Sequence, residues 1–220
     1  MIARQLISDI IMPLKTSDTG NFALKWMDEN KVSHLPIVNS GNYIGIISEK
    51  DILDLNDYDE PIGNHKLSLQ KAFVIEDQHI YEIVEIFEKY SLSLIPVVDS
   101  HNKYMGSITS KKLLSYFSNS FSVSNPGGVI VLEMSQNDYN LTEIANIVES
   151  NGGKILSCFL GSHTDSTLIE LIIKINKTDM DAILQTFSRY DYTVKATFGE
   201  DEDFEDLQDR YDSLMNYLNI

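Results

Sequence analysis

Apolar and polar residues alternate along this chain in two rhythms, and the order of the rhythms repeats. Ile80, Ile83, Val84 and Phe87 stand at relative positions 0, 3, 4 and 7, one stripe of a helix. Sixty residues earlier, Ala23, Leu24 and Met27 keep the same register, pairing with Ile83, Val84 and Phe87. Each helix is followed by a short apolar run opened by proline, Pro36-Ile37-Val38 and Pro96-Val97-Val98. Proline at the first position of a strand removes no interior ladder hydrogen bond, so these runs are expected to start at the prolines. Polar turns, Asn39–Asn42 and Asp99–Lys103, lead to second strands containing glycine, Tyr43–Ile47 and Tyr104–Ile108. Ser17 or Asp18 in the first copy, and Asp77 in the second, are the expected N-caps of the preceding helices.

The two copies are nearly in step. Pro36 matches Pro96 at an offset of 60 and Gly45 matches Gly106 at 61, so one residue has entered the turn between them. The second strands run directly into new helices at Ser48-Glu49-Lys50-Asp51 and Thr109-Ser110-Lys111-Lys112. Residues 118–128, SNSFSVSNPGG, are nine parts in eleven Ser, Asn, Pro or Gly and read as a linker.

Beyond the linker the pattern changes to strand 129–134, helix 141–150, strands 155–160 and 167–175, helix 180–190 and strand 192–198. Ile169, Leu171, Ile173 and Ile175 alternate onto one face with Glu170 and Lys174 on the other, as in a sheet with one wet side. Leu141, Ile144, Ala145 and Val148, and then Met180, Ile183, Leu184 and Phe187, supply matching helical stripes. The order βαββαβ is ferredoxin-like. In the tail, Phe204, Leu207, Tyr211, Leu214 and Leu218 recur at 3 and 4, which predicts a helix over 200–220 docked on its own sheet or on a second subunit.

Composition narrows the function. The chain has 220 residues, 17 basic and 33 acidic, for a formal charge of −16, of which −7 lies in residues 200–220. An acidic surface repels nucleic acid and anionic lipid, so neither is an expected partner. No run approaches the ~20 apolar residues needed to span a bilayer, and the N-terminal stretch lacks the pattern of a signal peptide, which predicts a cytoplasmic location. The single Cys158 cannot form an internal disulfide, and its apolar strand predicts a buried, inert thiol. The five histidines show no metal-ligand spacing, and no phosphate-loop, dinucleotide or nucleophile-elbow motif is present. No metal and no catalytic residue is expected.

The duplicated order of proline strand, glycine strand and Ser/Thr helix start, over residues 1–117, resembles a pair of CBS domains, with units at 1–60 and 61–117. The following unit, 129–199, resembles an ACT domain, and the whole is similar to the acetoin-utilisation regulatory proteins. The implied fold is α+β: a pseudo-two-fold CBS pair, a ferredoxin-like ACT-like domain and a C-terminal helix. The resemblance implies a non-catalytic, homodimeric regulator that holds an adenine-containing metabolite, AMP, ADP, ATP or S-adenosylmethionine, in a cleft between the repeats and requires no cofactor. The alternative is a ligand-free homodimeric scaffold.

The resemblance also points to residues. Ser48 and Asp51 carry two readings: a capping arrangement with no ligand, or a site where free helix N–H groups attract phosphate, Ser48 adds a hydroxyl and Asp51 accepts from ribose. In the second copy Thr109 keeps the hydroxyl, but Lys112 replaces the carboxylate and offers only donors, so the two clefts are expected to differ. Ser33, His34 and Leu35 in one copy and Ser93, Leu94 and Ile95 in the other line the same clefts on this reading, and Leu14 and Val74 supply apolar contacts to adenine. ACT domains usually carry a glycine before the first helix where this chain has Tyr139, so the resemblance does not extend to an amino-acid site there.

Overall fold

The computed structural model describes residues 1–8, 11–65, 69–162 and 167–199. The helix expected over 200–220 lies outside them. The described chain divides into two compact units, Met1–Tyr116 and Phe117 onward.

In the first unit each repeat is a helix followed by a hairpin and another helix: α1 (Gly20–Asn30), β1 (His34–Asn39), β2 (Asn42–Ser48) and α2 (Glu49–Leu53), then β3 (Val74–Ile75), α3 (Ile80–Tyr90), β4 (Leu94–Val98), β5 (Tyr104–Thr109) and α4 (Ser110–Ser120). β1 pairs antiparallel with β2, and β4 with β5. β3 adds to β4 in parallel through Val74↔Val97, and its counterpart in the first repeat is the single bridge Leu14↔Ile37.

Two local expectations are corrected. The helix caps are Thr19, whose Oγ1 accepts from Phe22 N–H (3.2 Å), and His79, again 60 residues apart, rather than Ser17, Asp18 or Asp77. Asp18 is occupied one step earlier, its carboxylate accepting from Lys15 N–H at 2.7 Å. The prolines are third, not first, in β1 and β4. Pro36 is tolerated there because its carbonyl accepts from Leu14 N–H on the side away from β2 (2.8 Å), and the missing donor of a residue faces the same side as its carbonyl.

The repeats exchange their leading segments. Ser8 N–H donates to Ser107 O (2.8 Å), so the N-terminal segment of the first repeat lies along β5 of the second. Reciprocally, Ile46 N–H donates to Gln70 O (2.9 Å), laying the start of the second repeat along β2 of the first. At both crossings a glycine admits the passing chain. A Cβ on Gly45 would stand 2.7 Å from Leu69 Cβ, and one on Gly106 would run into the Ile7 side chain. The hairpin tips also join, through Tyr104 N–H to Gly41 O (2.9 Å) and Tyr43 N–H to Asn102 O (3.2 Å). The buried core between these contacts includes Leu14, Leu35, Ile37, Ile47, Ile52, Val74, Ile83, Leu94, Ile95 and Ile108.

α4 continues to Ser120, three residues into the stretch expected to be linker, because Phe117 and Phe121 stack one helical turn apart (5.5 Å between ring centroids). Phe121 then packs on Phe159, and its carbonyl accepts from Ser157 Oγ (2.9 Å). The second unit consists of β6 (Val129–Ser135), α5 (Leu141–Ser150), β7 (Ile155–Ser162), β8 (Leu168–Ile175), α6 (Asp181–Arg189) and β9 (Thr193–Phe198). Its strand order, β7-β8-β6-β9, is the ferredoxin-like arrangement of the expected βαββαβ chain. Ile130, Leu132, Leu171, Ile173 and Ile175 face Ile144, Ile147, Val148, Ile183 and Phe187 across the core. On the open face Lys195 of β9 bridges Glu133 (3.1 Å) on the adjacent β6 and Glu170 on β8 beyond it. Cys158 corrects its expectation: it is exposed, because β7 is an edge strand.

Gly45→Ala tests the crossing. The added methyl has no room between β2 and Leu69, so the substitution is expected to destabilise the first unit by about 1–3 kcal/mol, the usual range for overpacking. Chemical denaturation of the full chain reads this directly; an unchanged midpoint contradicts the close packing.

Candidate functional site

β1, β2, α2 and the crossing segment of the second repeat border a half-open cavity of about 410 Å³, lined by His34, Ile46, Ser48, Asp51, Leu69 and Gln70. Its size falls in the range of small-molecule sites, ~300–1,000 Å³. His34 opens β1, directly opposite Ser48 at the end of β2. The antiparallel register thus brings the histidine and the Ser48–Asp51 turn to one end of the hairpin.

Ser48 and Asp51 form a closed capping box. Asp51 N–H donates to Ser48 Oγ (3.1 Å), while Ser48 N–H (2.9 Å) and Ser48 Oγ–H (2.6 Å) both donate to Asp51 Oδ2. Glu49 N–H donates to Ser33 O (2.9 Å). Two N–H groups at the start of this short helix, and the serine hydroxyl, are therefore spent within the chain. Asp51 still lines the cavity, and no hydrogen bond to its Oδ1 occurs among the described residues. The arrangement presents a fixed, ionisable acceptor to whatever enters.

His34 joins the cavity to the other repeat. Its Nδ1 accepts from Ser93 N–H (3.3 Å) and lies 3.1 Å from both Ser93 Oγ and Ser33 Oγ, while Ser33 N–H donates to Ser93 Oγ (2.9 Å). An acceptor at Nδ1 requires the neutral tautomer protonated on Nε2. Burial holds the His34 pKa below its ordinary value, against the opposing pull of the Asp51 carboxylate.

The remaining sequence-selected residues lie elsewhere. Leu14 and Val74 are fully buried, Leu14 bridged to Ile37 of β1 and Val74 paired with Val97 of β4, and neither lines the cavity. Thr109 repeats the cap of Ser48, accepting from Lys112 N–H (3.1 Å), and Lys112 is exposed. At the positions equivalent to His34 and Ile46 stand Leu94 and Ser107, both fully buried, with Ser107 also bonded to Tyr104 (2.9 Å). The second copy therefore has a buried apolar side chain where the first has a half-buried histidine.

Leu69 and Gln70 were not singled out by the sequence reading because they belong to the second repeat and cross into the first. The repeat register does not find them: an offset of 60 sets Leu69-Gln70 against Asp9-Ile10, whereas the bridges Ser8↔Ser107 and Ile46↔Gln70 match Gln70 to Ser8, two residues out of that register.

The second unit has a larger cavity, about 670 Å³, around the β6–α5 loop. Glu133, Asp138, Glu143 and Asp191 line it without an accompanying Lys or Arg, so the carboxylate of an amino acid would meet like charge. Tyr139, where ACT domains have glycine, packs against the unit's core. The first-unit cavity, with a neutral histidine and one carboxylate, is the better-built candidate. Among the described residues, no group of three His, Cys, Asp or Glu is arranged to hold a metal ion, and no helix is long and apolar enough to cross a membrane.

The CBS domain family pattern matches residues 7–57 and 71–119. Homoserine O-acetyltransferase of Methanosarcina acetivorans is 30% identical over 122 residues, 51% of this chain and 22% of the relative. The chain therefore spans about a fifth of that enzyme's length. The solved structure of a CBS domain pair/ACT domain protein from Thermotoga maritima covers 54% of this chain and 98% of its own, at 23% identity and a TM-score of 0.49. That of CBSX2 in complex with AMP covers 54% of this chain and 96% of its own, at 18% identity and a TM-score of 0.47.

The histidine has a measurable signature. The unfolded chain protonates His34 near its ordinary 6.5, whereas the folded protein keeps it neutral to lower pH. The unfolded state then binds more protons, so this contribution is complete above 6.5 and stability declines as the pH falls towards the folded-state value. His34→Gln, which keeps an acceptor but does not titrate, is expected to reduce the loss of melting temperature between about pH 7.5 and about pH 5.5. An equal loss in both proteins contradicts the assignment.

Proposed function

With residues 7–57 and 71–119 forming a pair of CBS domains, we propose that the chain is a non-catalytic, cytoplasmic regulatory protein that senses an adenine-containing metabolite in the cavity of the first repeat. The observation that carries this reading is the joint placement of Asp51 and His34: one wall of the cavity holds a fixed carboxylate, suited to accept from ribose hydroxyls, and His34 in the lining is hydrogen-bonded to Ser93 of the second repeat. A ligand seated there touches the junction of the two repeats and favours one packing of that junction over another. The shift it produces is bounded by its difference in affinity for the two packings. The ferredoxin-like unit passes the change to a second subunit or a partner protein.

On this reading one ligand binds per chain, since the second repeat has Leu94 in place of His34 and Lys112 in place of Asp51. A second reading, a homodimeric scaffold without ligand, is favoured by Phe159 and Leu160, half exposed on the edge strand β7.

Asp51→Ala and Lys112→Ala separate these accounts. Loss of a hydrogen bond to a charged group, worth about 1.5–3 kcal/mol, is expected to weaken adenosine binding roughly tenfold to a hundredfold in the Asp51 variant and little in the Lys112 variant. Titration calorimetry gives both numbers, with circular dichroism confirming that the Asp51 variant is folded. Equal effects reject the placement of the site, and no binding to the native chain at millimolar concentration leaves the scaffold.

A further inference from the structure

The cavity's charge and its donors point one way. Among the described residues that line it, Asp51 is the sole carboxylate and no Lys or Arg is present. His34, the other ionisable group, accepts a backbone hydrogen bond at Nδ1 and is held neutral by burial. Groups that would normally receive a phosphate at a helix start are already engaged: Glu49 N–H by Ser33 O, Asp51 N–H by Ser48 Oγ, and the Ser48 hydroxyl proton by Asp51. Glu49 and Asp51 also place two acidic side chains in the first turn of α2. The chain as a whole carries −16, which raises the local concentration of cations and lowers that of polyanions.

Together these features offer acceptors and negative charge, with no countercharge for a phosphate among the described lining residues. We propose that the cavity selects adenosyl compounds whose 5′ substituent is cationic or uncharged, such as a sulfonium or thioether adenosyl compound, over adenosine phosphates. This rests on the adenine-site reading above and sharpens it. The ribose hydroxyls donate to Asp51, the base lies against Ile46 and Leu69 within reach of the Gln70 amide, and the 5′ substituent meets the field of the Asp51 carboxylate. A sulfonium gains from that field, a thioether is indifferent to it, and each added phosphate is opposed by it.

Titration calorimetry of the full chain at low salt with adenosine, 5′-methylthioadenosine, S-adenosylmethionine, AMP and ATP tests the proposal. S-adenosylmethionine and methylthioadenosine are expected to bind at least about tenfold more tightly than AMP, equivalent to about 1.4 kcal/mol, with ATP weaker still. Raising the salt towards about 0.5 M should narrow the gap between S-adenosylmethionine and AMP, because screening weakens attraction and repulsion alike. A converse variant, Leu69→Lys, places a cation on the cavity wall without touching the capping box and is expected to raise AMP affinity relative to methylthioadenosine. If adenosine binds and AMP or ATP binds as tightly as methylthioadenosine or more so, the charge selection is wrong and the adenine site stands. If none of the five binds, adenosine included, the site itself fails and the selection with it.

Discussion

Two backbones pass within van der Waals contact at Gly45 and again at Gly106, and the first unit depends on those crossings. Each repeat lends its leading segment to the sheet of the other, and a side chain at either glycine would push the lent segment away. The hydrogen bonds from Ser8 to Ser107 and from Ile46 to Gln70 hold the exchange in register. Neither repeat completes its own sheet without the other, so the junction is built into the fold. The cavity exists because the second repeat's segment, Leu69-Gln70, forms one wall of a site whose other walls belong to the first.

The asymmetry of the two repeats has a specific origin. At equivalent strand positions a half-buried histidine stands in one copy and a buried leucine in the other. Leucine fills the core and has no polar tip; histidine packs its ring and turns Nδ1 towards Ser93, keeping a polar surface at the cavity wall. The exchange of aspartate for lysine after the Ser/Thr cap then changes the sign of the local charge. A handful of side chains thus makes the two copies of a duplicated module chemically different, with the backbone plan unchanged.

The capping box shows how a helix start can satisfy itself and still leave a carboxylate at a cavity wall. Ser48 and Asp51 satisfy each other, which fixes the carboxylate in a single orientation. The same bonds consume the donors that a free helix start would offer an anion. Closure of the box therefore leaves the cavity with a fixed carboxylate and fewer free donors.

Much of this was legible in the order of residues. The repeat, the ferredoxin-like βαββαβ sequence and the apolar faces of its helices follow from periodicity, because a helix or strand must bury its apolar side wherever it docks. Ser48, Asp51 and His34 were also visible, through the duplicated motif. Other features were decided only by tertiary structure. The exchange of leading segments brings together residues far apart in the chain, which no local pattern encodes, and it alone places Leu69 and Gln70 at the site. Exposure of Cys158 followed from β7 lying at a sheet edge, a property of strand order that apolar composition does not reveal. Whether a helix start keeps its N–H groups free depends on which carbonyls and hydroxyls fold against it, so the chemistry of the cavity was settled by packing.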